Sequence, residues 1–389
     1  MWQATIGICL LGLILNPVKQ FYFNSGLRWI YIILFSFLFS YFTAPFCSII
    51  AQKFNILDKP DWRKIHHTPT PLFGGISVYS AFIIALLLNN KYLPGMNILM
   101  FGATLVLIMG LWDDIRPIKA VIKLIIQIII ALIVIIGGNI QLTFFFQFSW
   151  APLVNIPLTV LWIVGITNAM NFFDGMDGLA TSMAIIAATF LGMIAFNTDQ
   201  PAVGWFSVAL VGSCLGFLPH NFRFGKSARL FLGDAGSTFL GFTLAGLAVL
   251  GHWSNTSRFV SLTAPILIFS VLIFDMIYIN LSRIKNRKAK NPLELLTCVN
   301  KDHLHHRLLF MGFARKEIVF IISILSACLG ISALIIMNQR LTEALLGLFQ
   351  AVLVLGLIAT LMRKGRERIP KEGDRRVFRR RRSDREQDV

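Results

Sequence analysis

The sequence predicts an all-α, polytopic membrane protein with about eleven transmembrane helices, N-terminus out and C-terminus in. Three observations predict it. Of 389 residues, 56% are hydrophobic and only 14% charged, against about 25% charged in ordinary soluble chains, and mean hydropathy is +0.70. Apolar runs of the roughly 20 residues that a helix needs to cross a bilayer recur along the chain. Basic residues also alternate from loop to loop. These features exclude a soluble enzyme, a disordered chain and a zinc-finger array. The five cysteines (Cys9, Cys47, Cys214, Cys298, Cys328) show no paired spacing, so neither a disulfide framework nor a zinc site is supported.

In order, the apolar runs are 28–50, 73–90, 96–112, 119–137, 153–170, 178–196, 203–219, 232–250, 259–281, 317–337 and 342–362. The segment Trp2–Leu15 is apolar but stops at Asn16-Pro17. It lacks the basic start of a signal peptide, and an interfacial helix and a true span stay equally open for it. Three regions result: a short apolar N-terminal segment 1–27, a multi-span domain 28–362 and a basic, solvated, disordered tail 363–389. No internal repeat of helical segments is visible. The longest connection, 282–316, is polar and rich in histidine, and long connections in compact proteins tend to carry function.

Orientation follows from lysine and arginine. Loops after the odd-numbered spans carry 19 basic residues before the tail, and the opposite loops carry only Lys19, Arg28, Lys91, Arg258 and Arg340. The first side is therefore assigned to the cytoplasm. The tail, with Arg379 to Arg382, either reinforces this orientation or attracts anionic headgroups; nothing in it suggests nucleic acid.

Acids were not used in that assignment, yet ten of the 13 outside the tail fall on the same side. Charges at a membrane edge are costly without partners, so the clustering points to one cytoplasmic site. Asp113-Asp114 closes the third span, and adjacent aspartates repel unless a cation lies between them. That fits part of a Mg²⁺-diphosphate site, since hard cations take oxygen ligands; a solvated helix end beside Arg116 is the alternative. Asn171, Asp174 and Asp177 are spaced to put three oxygen ligands on one face of a helical turn, with Gly175 and Gly178 allowing close approach. The run Gly233-Asp234-Ala235-Gly236-Ser237 opens the eighth span. A helix N-terminus there favours phosphate and Asp234 suits a bridging metal, while small residues serve helix packing equally well.

In the long loop, His303, His305, His306 and Arg307 fit hydrogen bonding to a sugar diphosphate, the arginine forking onto phosphate. A zinc site lacks a further ligand. Asp58-Lys59-Pro60, Arg63-Lys64 and His66 lead into the second span, and Lys64 is a phosphate-binding candidate or a positive-inside anchor. Lys123 pairs with Asp113-Asp114, binds a phosphate, or snorkels to the interface. Asp275, inside a span, requires a basic partner as support for the site. His67, His220 and His252 have no constellation around them.

The ordered set DKPDWRKIHHTPTPLFGG (58–75), DD (113–114), NFFDGMDGLA (171–180), GDAGS (233–237) and DHLHHRLL (302–309) resembles the polyprenyl-phosphate N-acetylhexosamine-1-phosphate transferases. The form His-Leu-His-His-Arg resembles the undecaprenyl-phosphate α-N-acetylglucosaminyl-1-phosphate transferase branch. The resemblance covers roughly residues 28–362. It implies a Mg²⁺-dependent enzyme, with Mn²⁺ as substitute, of the bacterial inner membrane with a cytoplasmic site. Its partners would be a UDP-N-acetylhexosamine, undecaprenyl phosphate and the lipid bilayer, with a homodimer left open and no nucleic acid. Such an enzyme moves a sugar phosphate to the lipid phosphate, releases UMP and initiates a lipid-linked surface glycan of the lipopolysaccharide or O-antigen kind. By motif, Asn171 and Asp234 become metal ligands, and Asp113, Asp114, Asp174 and Asp177 catalytic acids. Lys64, Lys123, His303, His305, His306 and Arg307 become substrate contacts. The chain departs from the family pattern at Asn291-Pro292-Leu293 and Asn300-Lys301.

Two alternatives stand beside this reading. One is the same chemistry with another UDP-N-acetylhexosamine. The other, from a different class, is an ion-coupled secondary transporter, which would show inverted repeats and ionisable groups near the bilayer midplane.

Overall fold

The computed structural model describes residues 2–59, 68–91, 93, 95–142, 151–253, 258–285, 302–337 and 341–367. The candidate Lys64, most of the long polar loop and residues 368–389 of the tail lie outside the described residues. The chain is almost wholly helical. Its helices are α1 (Trp2–Ile14), α2 (Asn16–Asn24), α3 (Arg28–Lys53), α4 (Gly74–Asn89), α5 (Met96–Ile115), α6 (Ala120–Gly138), α7 (Pro152–Phe173) and α8 (Leu179–Asn197). They continue as α9 (Pro201–Asn221), α10 (Gly233–Leu250), α11 (Arg258–Ile268), α12 (Ser270–Lys285), α13 (Leu304–Phe310), α14 (Arg315–Met337) and α15 (Leu341–Glu367). A departure from all-α is one antiparallel pair, β1 (Leu57–Asp58) with β2 (Thr70–Pro71).

Among the described residues nine helices are long and apolar enough to cross a membrane, or up to eleven if each of two bent pairs counts as one span. Two expected spans differ in detail. The second is the 16-residue α4, about 24 Å at 1.5 Å per residue, short of a hydrocarbon core of about 30 Å. The ninth is the α11–α12 pair, bent by 72°. Pro265 inside α11 supplies no N–H, and the Ser270 hydroxyl donates to the Leu267 carbonyl (2.6 Å) at the break. The N-terminal segment is a second bent pair, α1 and α2 at 67°, with Pro17 in the first turn of α2, where its missing N–H costs nothing. It packs onto the bundle: Leu10 and Leu13 are buried, and the Tyr31 hydroxyl donates to the Leu13 carbonyl (3.1 Å).

The centre of the bundle is α10, whose apolar window is 83% buried, against 28% for α6 and 22% for the last helix. The peripheral helices turn large apolar side chains outward, among them Ile136, Leu161, Ile324 and Val352, as lipid contact requires. With no hydrophobic drive between helices in lipid, close packing holds them together, and small residues permit it. A Cβ on Gly75 would lie 2.4 Å from the Gly236 nitrogen, and one on Gly110 would lie 2.5 Å from the Ala235 Cα. The first turns of α4 and α10 and the last turns of α5 thus meet backbone to backbone. Gly74 and Gly75 donate to the carbonyls of Phe231 and Leu232 (both 2.9 Å). Phe73, at φ +86°, holds a left-handed conformation at this junction, a strain of about 1–3 kcal/mol for a non-glycine residue.

Candidate active site

Helices that alternate in direction bring alternate ends together. The C-terminal ends of α5, α7 and α9 and the N-terminal ends of α4, α8 and α10 surround a cavity of about 650 Å³, within the size range of small-molecule sites. Asp58, Asp113, Asp114, Asp174, Asp177 and Asp234 line it. Five of these carboxylates are the catalytic and metal candidates read from the sequence, gathered from positions up to 121 residues apart.

Each acid is placed by a local cause. Pro117 ends α5 by forcing Arg116 into extended backbone (φ −139°, ψ 110°), and the Asp113 carboxylate closes the turn by accepting the Ile118 N–H (2.6 Å). Asp114 turns the other way and accepts the N–H groups of Asp234 (2.8 Å) and Ala235 (3.1 Å). It therefore occupies the α10 N-terminus, where the small-residue run had suggested a phosphate would sit. A carboxylate at that positive end satisfies two orphan donors. Lys123, one turn into α6, donates to Asp113 (2.7 Å) and Asp234 (2.5 Å), so of the three readings open for it the structure shows pairing with acids, with Asp234 in place of Asp114.

The helical-face reading of Asn171, Asp174 and Asp177 needs correction. Helix α7 ends at Phe173, Asp174 caps it, and Gly178 at φ +79° turns the chain into α8. Asp177 thus lies in the turn, accepting the Ala228 N–H (3.1 Å). Asn171 donates through its amide nitrogen to Asp234 (3.1 Å) and to the Ser237 hydroxyl (2.9 Å). Through the first of these bonds it orients Asp234. Asp174 has no hydrogen-bond donor to its carboxylate among the described residues. Burial pushes its pKa well above the usual carboxylate range, and Asp234, Asp114, Asp177 and Asp58 push it the same way.

The donor set suits a hard cation: several carboxylates face one space with one internal ammonium. Among the described residues no three His, Cys, Asp or Glu side chains converge tightly enough to cage an ion unaided. Magnesium does not need a cage, since it typically takes one or two carboxylates plus waters and substrate phosphates.

The histidine segment divides differently from expectation. His306 lines the cavity. His303 is buried, its Nδ1 bonded to the Asp275 carboxylate (2.7 Å), which also accepts the Leu304 N–H (2.8 Å). This gives Asp275 the partner the sequence required. His305 is 1% exposed and packs near His303, His306 and Phe173. Burial drives its pKa well below that of free histidine, helped by His306 and His303. Arg307 does not fork onto the cavity. It is 1% exposed, donates to the carbonyls of Asp302 (2.6 Å) and Met362 (2.5 Å), and lies over the Tyr278 ring (5.0 Å). Beside it Arg283 forks onto Asp302 (3.1 and 2.8 Å).

Asn221 and Arg315 also line the cavity but were not singled out from sequence. The Asn221 side chain accepts the Gly178 N–H (2.7 Å) and donates to the Leu230 carbonyl (3.1 Å), pinning the turn before α8. Its one sequence signal was a polar residue at the cytoplasmically assigned end of a span. Arg315 was visible only as one of many basic loop residues.

Comparison with known proteins agrees with this geometry. The profile of glycosyl transferase family 4 matches residues 96–252, which contain every cavity acid except Asp58. A Bacillus subtilis protein named "Probable undecaprenyl-phosphate N-acetylglucosaminyl 1-phosphate transferase" is 31% identical over 324 residues, 81% of this chain and 87% of its own length. The decaprenyl-phosphate N-acetylglucosaminephosphotransferase of Mycolicibacterium smegmatis is 28% identical, covering 84% of this chain and 87% of that protein. The undecaprenyl-phosphate alpha-N-acetylglucosaminyl 1-phosphate transferase of Escherichia coli K12 is 28% identical, covering 77% and 80%. With its acids gathered at one end of a membrane bundle and these relatives matched over most of their length, the chain belongs to the polyprenyl-phosphate N-acetylhexosamine-1-phosphate transferases of glycosyl transferase family 4.

Proposed function

We propose that this chain transfers N-acetylglucosamine-1-phosphate from UDP-N-acetylglucosamine to undecaprenyl phosphate, releasing UMP, at the cytoplasmic face of the bacterial inner membrane. The product would initiate a lipid-linked surface glycan. The observation that carries this reading is the cavity itself: carboxylates and one lysine at the ends of membrane helices, where a soluble nucleotide and a lipid headgroup can both reach. The loop distribution of lysine and arginine supports the cytoplasmic assignment.

An oxygen of the lipid phosphate attacks the phosphorus that bears the sugar. The bond from that phosphorus to the bridging oxygen breaks, and UMP leaves with the oxygen. One phosphoanhydride is made as one is broken, so the equilibrium lies near unity. The acceptor is already an anionic nucleophile, which favours direct attack over a phospho-enzyme. The task is then to position two anions and hold their charge. Asp234 and Asp174 are the residues that would hold Mg²⁺, which supplies Lewis-acid neutralisation of the diphosphate. Asn171 and Lys123 keep Asp234 oriented. Asp114 keeps the α10 N-terminus in place. Asp113 shares the Lys123 ammonium and fixes the α5–α6 turn.

Purified protein given a panel of UDP-sugars, undecaprenyl phosphate and MgCl₂ tests the reading, with lipid-product mass and UMP as readouts. Product from UDP-N-acetylglucosamine supports it, and product from a different UDP-sugar alone would correct the donor. Solute flux without UMP release would return the chain to the transporter class. A radiolabelled sugar phosphate trapped on the protein without acceptor would overturn direct attack.

A further inference from the structure

Helix α6 carries Lys123, yet it is one of the least anchored spans. Only 28% of its apolar window is buried, and Ile122, Ile125, Ile129, Ile133 and Ile136 are exposed along one side. From Ala120 to Ile126 no residue is buried, and the first that is buried is Gln127, at 1% exposure. Gln127 lies four residues beyond Lys123, on the same face and one turn deeper in the membrane. Its side-chain oxygen accepts a hydrogen bond from the Asn168 amide (2.6 Å), which also donates to the Val164 carbonyl of its own helix (2.8 Å). Asn168 lies three residues before Asn171 on α7, again one turn deeper than the residue that meets the acids. The two amides thus tie α6 to α7 one turn beneath the point where both helices hold Asp234. There Lys123 binds Oδ2 (2.5 Å) and Asn171 binds Oδ1 (3.1 Å).

Stability alone is a poor reason for this bridge. The Gln127 Nε2 is buried with no hydrogen-bond partner among the described residues, and an unmet buried donor costs about 1–3 kcal/mol. An apolar side chain of similar size would join the helices without that cost, since packing holds helices together in lipid. What apolar packing does not supply is register. A slide of about 1 Å leaves a contact between isoleucines nearly unchanged but takes a hydrogen bond out of range.

We propose that the Gln127–Asn168 bridge is a positioning device for the transferase site, fixing the height and rotation of α6 so that the Lys123 ammonium stays on Asp234. Neither amide lines the cavity, so both act through Lys123 and Asn171. The proposal rests on the phosphotransfer reading above. It is tested with purified Gln127→Met and Asn168→Leu proteins and the double variant. A fourth protein exchanges the pair, Gln127→Asn with Asn168→Gln, which keeps both amides and their summed volume. Each single variant should lower kcat about 10- to 100-fold, the cost of a small misplacement, with KM for both substrates within threefold of wild type. The double variant should lose no more than the worse single, because both break one bridge, and the exchange should regain most of kcat. Tm of Gln127→Met should hold, since the unmet donor leaves together with the bond. Folded Gln127→Met with kcat within twofold of wild type, or a loss carried by KM alone, would overturn the assignment. Single losses that multiply in the double variant, or an exchange that regains nothing, would do the same. Should Gln127→Met alone not fold, Asn168→Leu carries the same comparison, and if neither folds the bridge is structural support and the assignment falls. Wild-type protein that releases no UMP would instead defeat the transferase reading itself.

Discussion

The acidic and histidine halves of the site solve opposite problems. Around Asp113, Asp114, Asp174 and Asp234, helix ends press like charges together, and one lysine serves two carboxylates. Around His303, Arg307 and Asp302, the charged groups are matched inside the protein, Asp275 with His303, Arg283 with Asp302 and Arg307 with two carbonyls, while both ring nitrogens of the buried His305 have no hydrogen-bond partner among the described residues. The first region keeps charge in reserve for something that enters, and the second spends its polarity on holding its own shape. A chemically rich motif can thus be mostly scaffold, with His306 as the motif residue that lines the cavity.

The sharpest way to break this contrast is Asp234→Asn. On the acidic side the loss should fall on turnover, by about 100-fold or more, with Tm held, because Asp114 still grips the α10 backbone. Activity assays across a Mg²⁺ series and thermal unfolding in detergent check both halves. A collapse of Tm with activity preserved would reverse the roles of the two regions.

Asp275→Ala should do the opposite. It strands the His303 ring and the Leu304 N–H in a place where Asp275 is 0% exposed, a stability loss of about 3 kcal/mol for two orphaned partners. Tm measures it. Next in size is Gly75→Ala, whose new methyl meets the α10 backbone and should cost about 1–3 kcal/mol by overpacking. Gly165→Ala, where a Cβ meets nothing within 4 Å, should instead be neutral or gain up to about 1 kcal/mol of helix propensity. Equal Tm values for the two variants would deny that the α4–α10 crossing is set by close approach.

The smallest effect is one of pH. Burial depresses the pKa of His305 in the folded protein, so below about pH 6.5 the unfolded chain takes a proton that the fold refuses. This contribution to stability is whole above that pH and declines as pH falls, by at most about 1.4 kcal/mol per unit. Comparing Tm at pH 7.5 and 5.5 for wild type and His305→Phe isolates it, and the variant should show the shallower slope.

How much of this was legible beforehand follows from where each signal resides. Span positions are local in sequence, and hydropathy placed them. The brevity of α4 and the break beside Phe269 depend on packing and local backbone bonding, to which hydropathy is blind. The gathering of acids was legible because alternating helices return every second loop to the same side. What each acid does was not. Asp114 caps α10 only because Gly110 lets α5 touch Ala235, and that contact leaves no mark near either residue. The partners of Arg307 are carbonyls, and every residue has one, so no composition or spacing could show that the arginine was already engaged. Asn221 and Arg315 were missed for the same reason: neither belongs to a motif, and the fold alone brings them to the cavity.

The bond from Arg307 to the Met362 carbonyl spans 55 positions and has a consequence for biosynthesis. The acidic centre draws on α5 to α10, so its parts have all been synthesised once Leu250 has been added. The helix that steadies the histidine segment is complete only at Glu367, 117 codons later. A nascent chain therefore carries its acidic half first and gains the helix that steadies the histidine half only when α15 arrives.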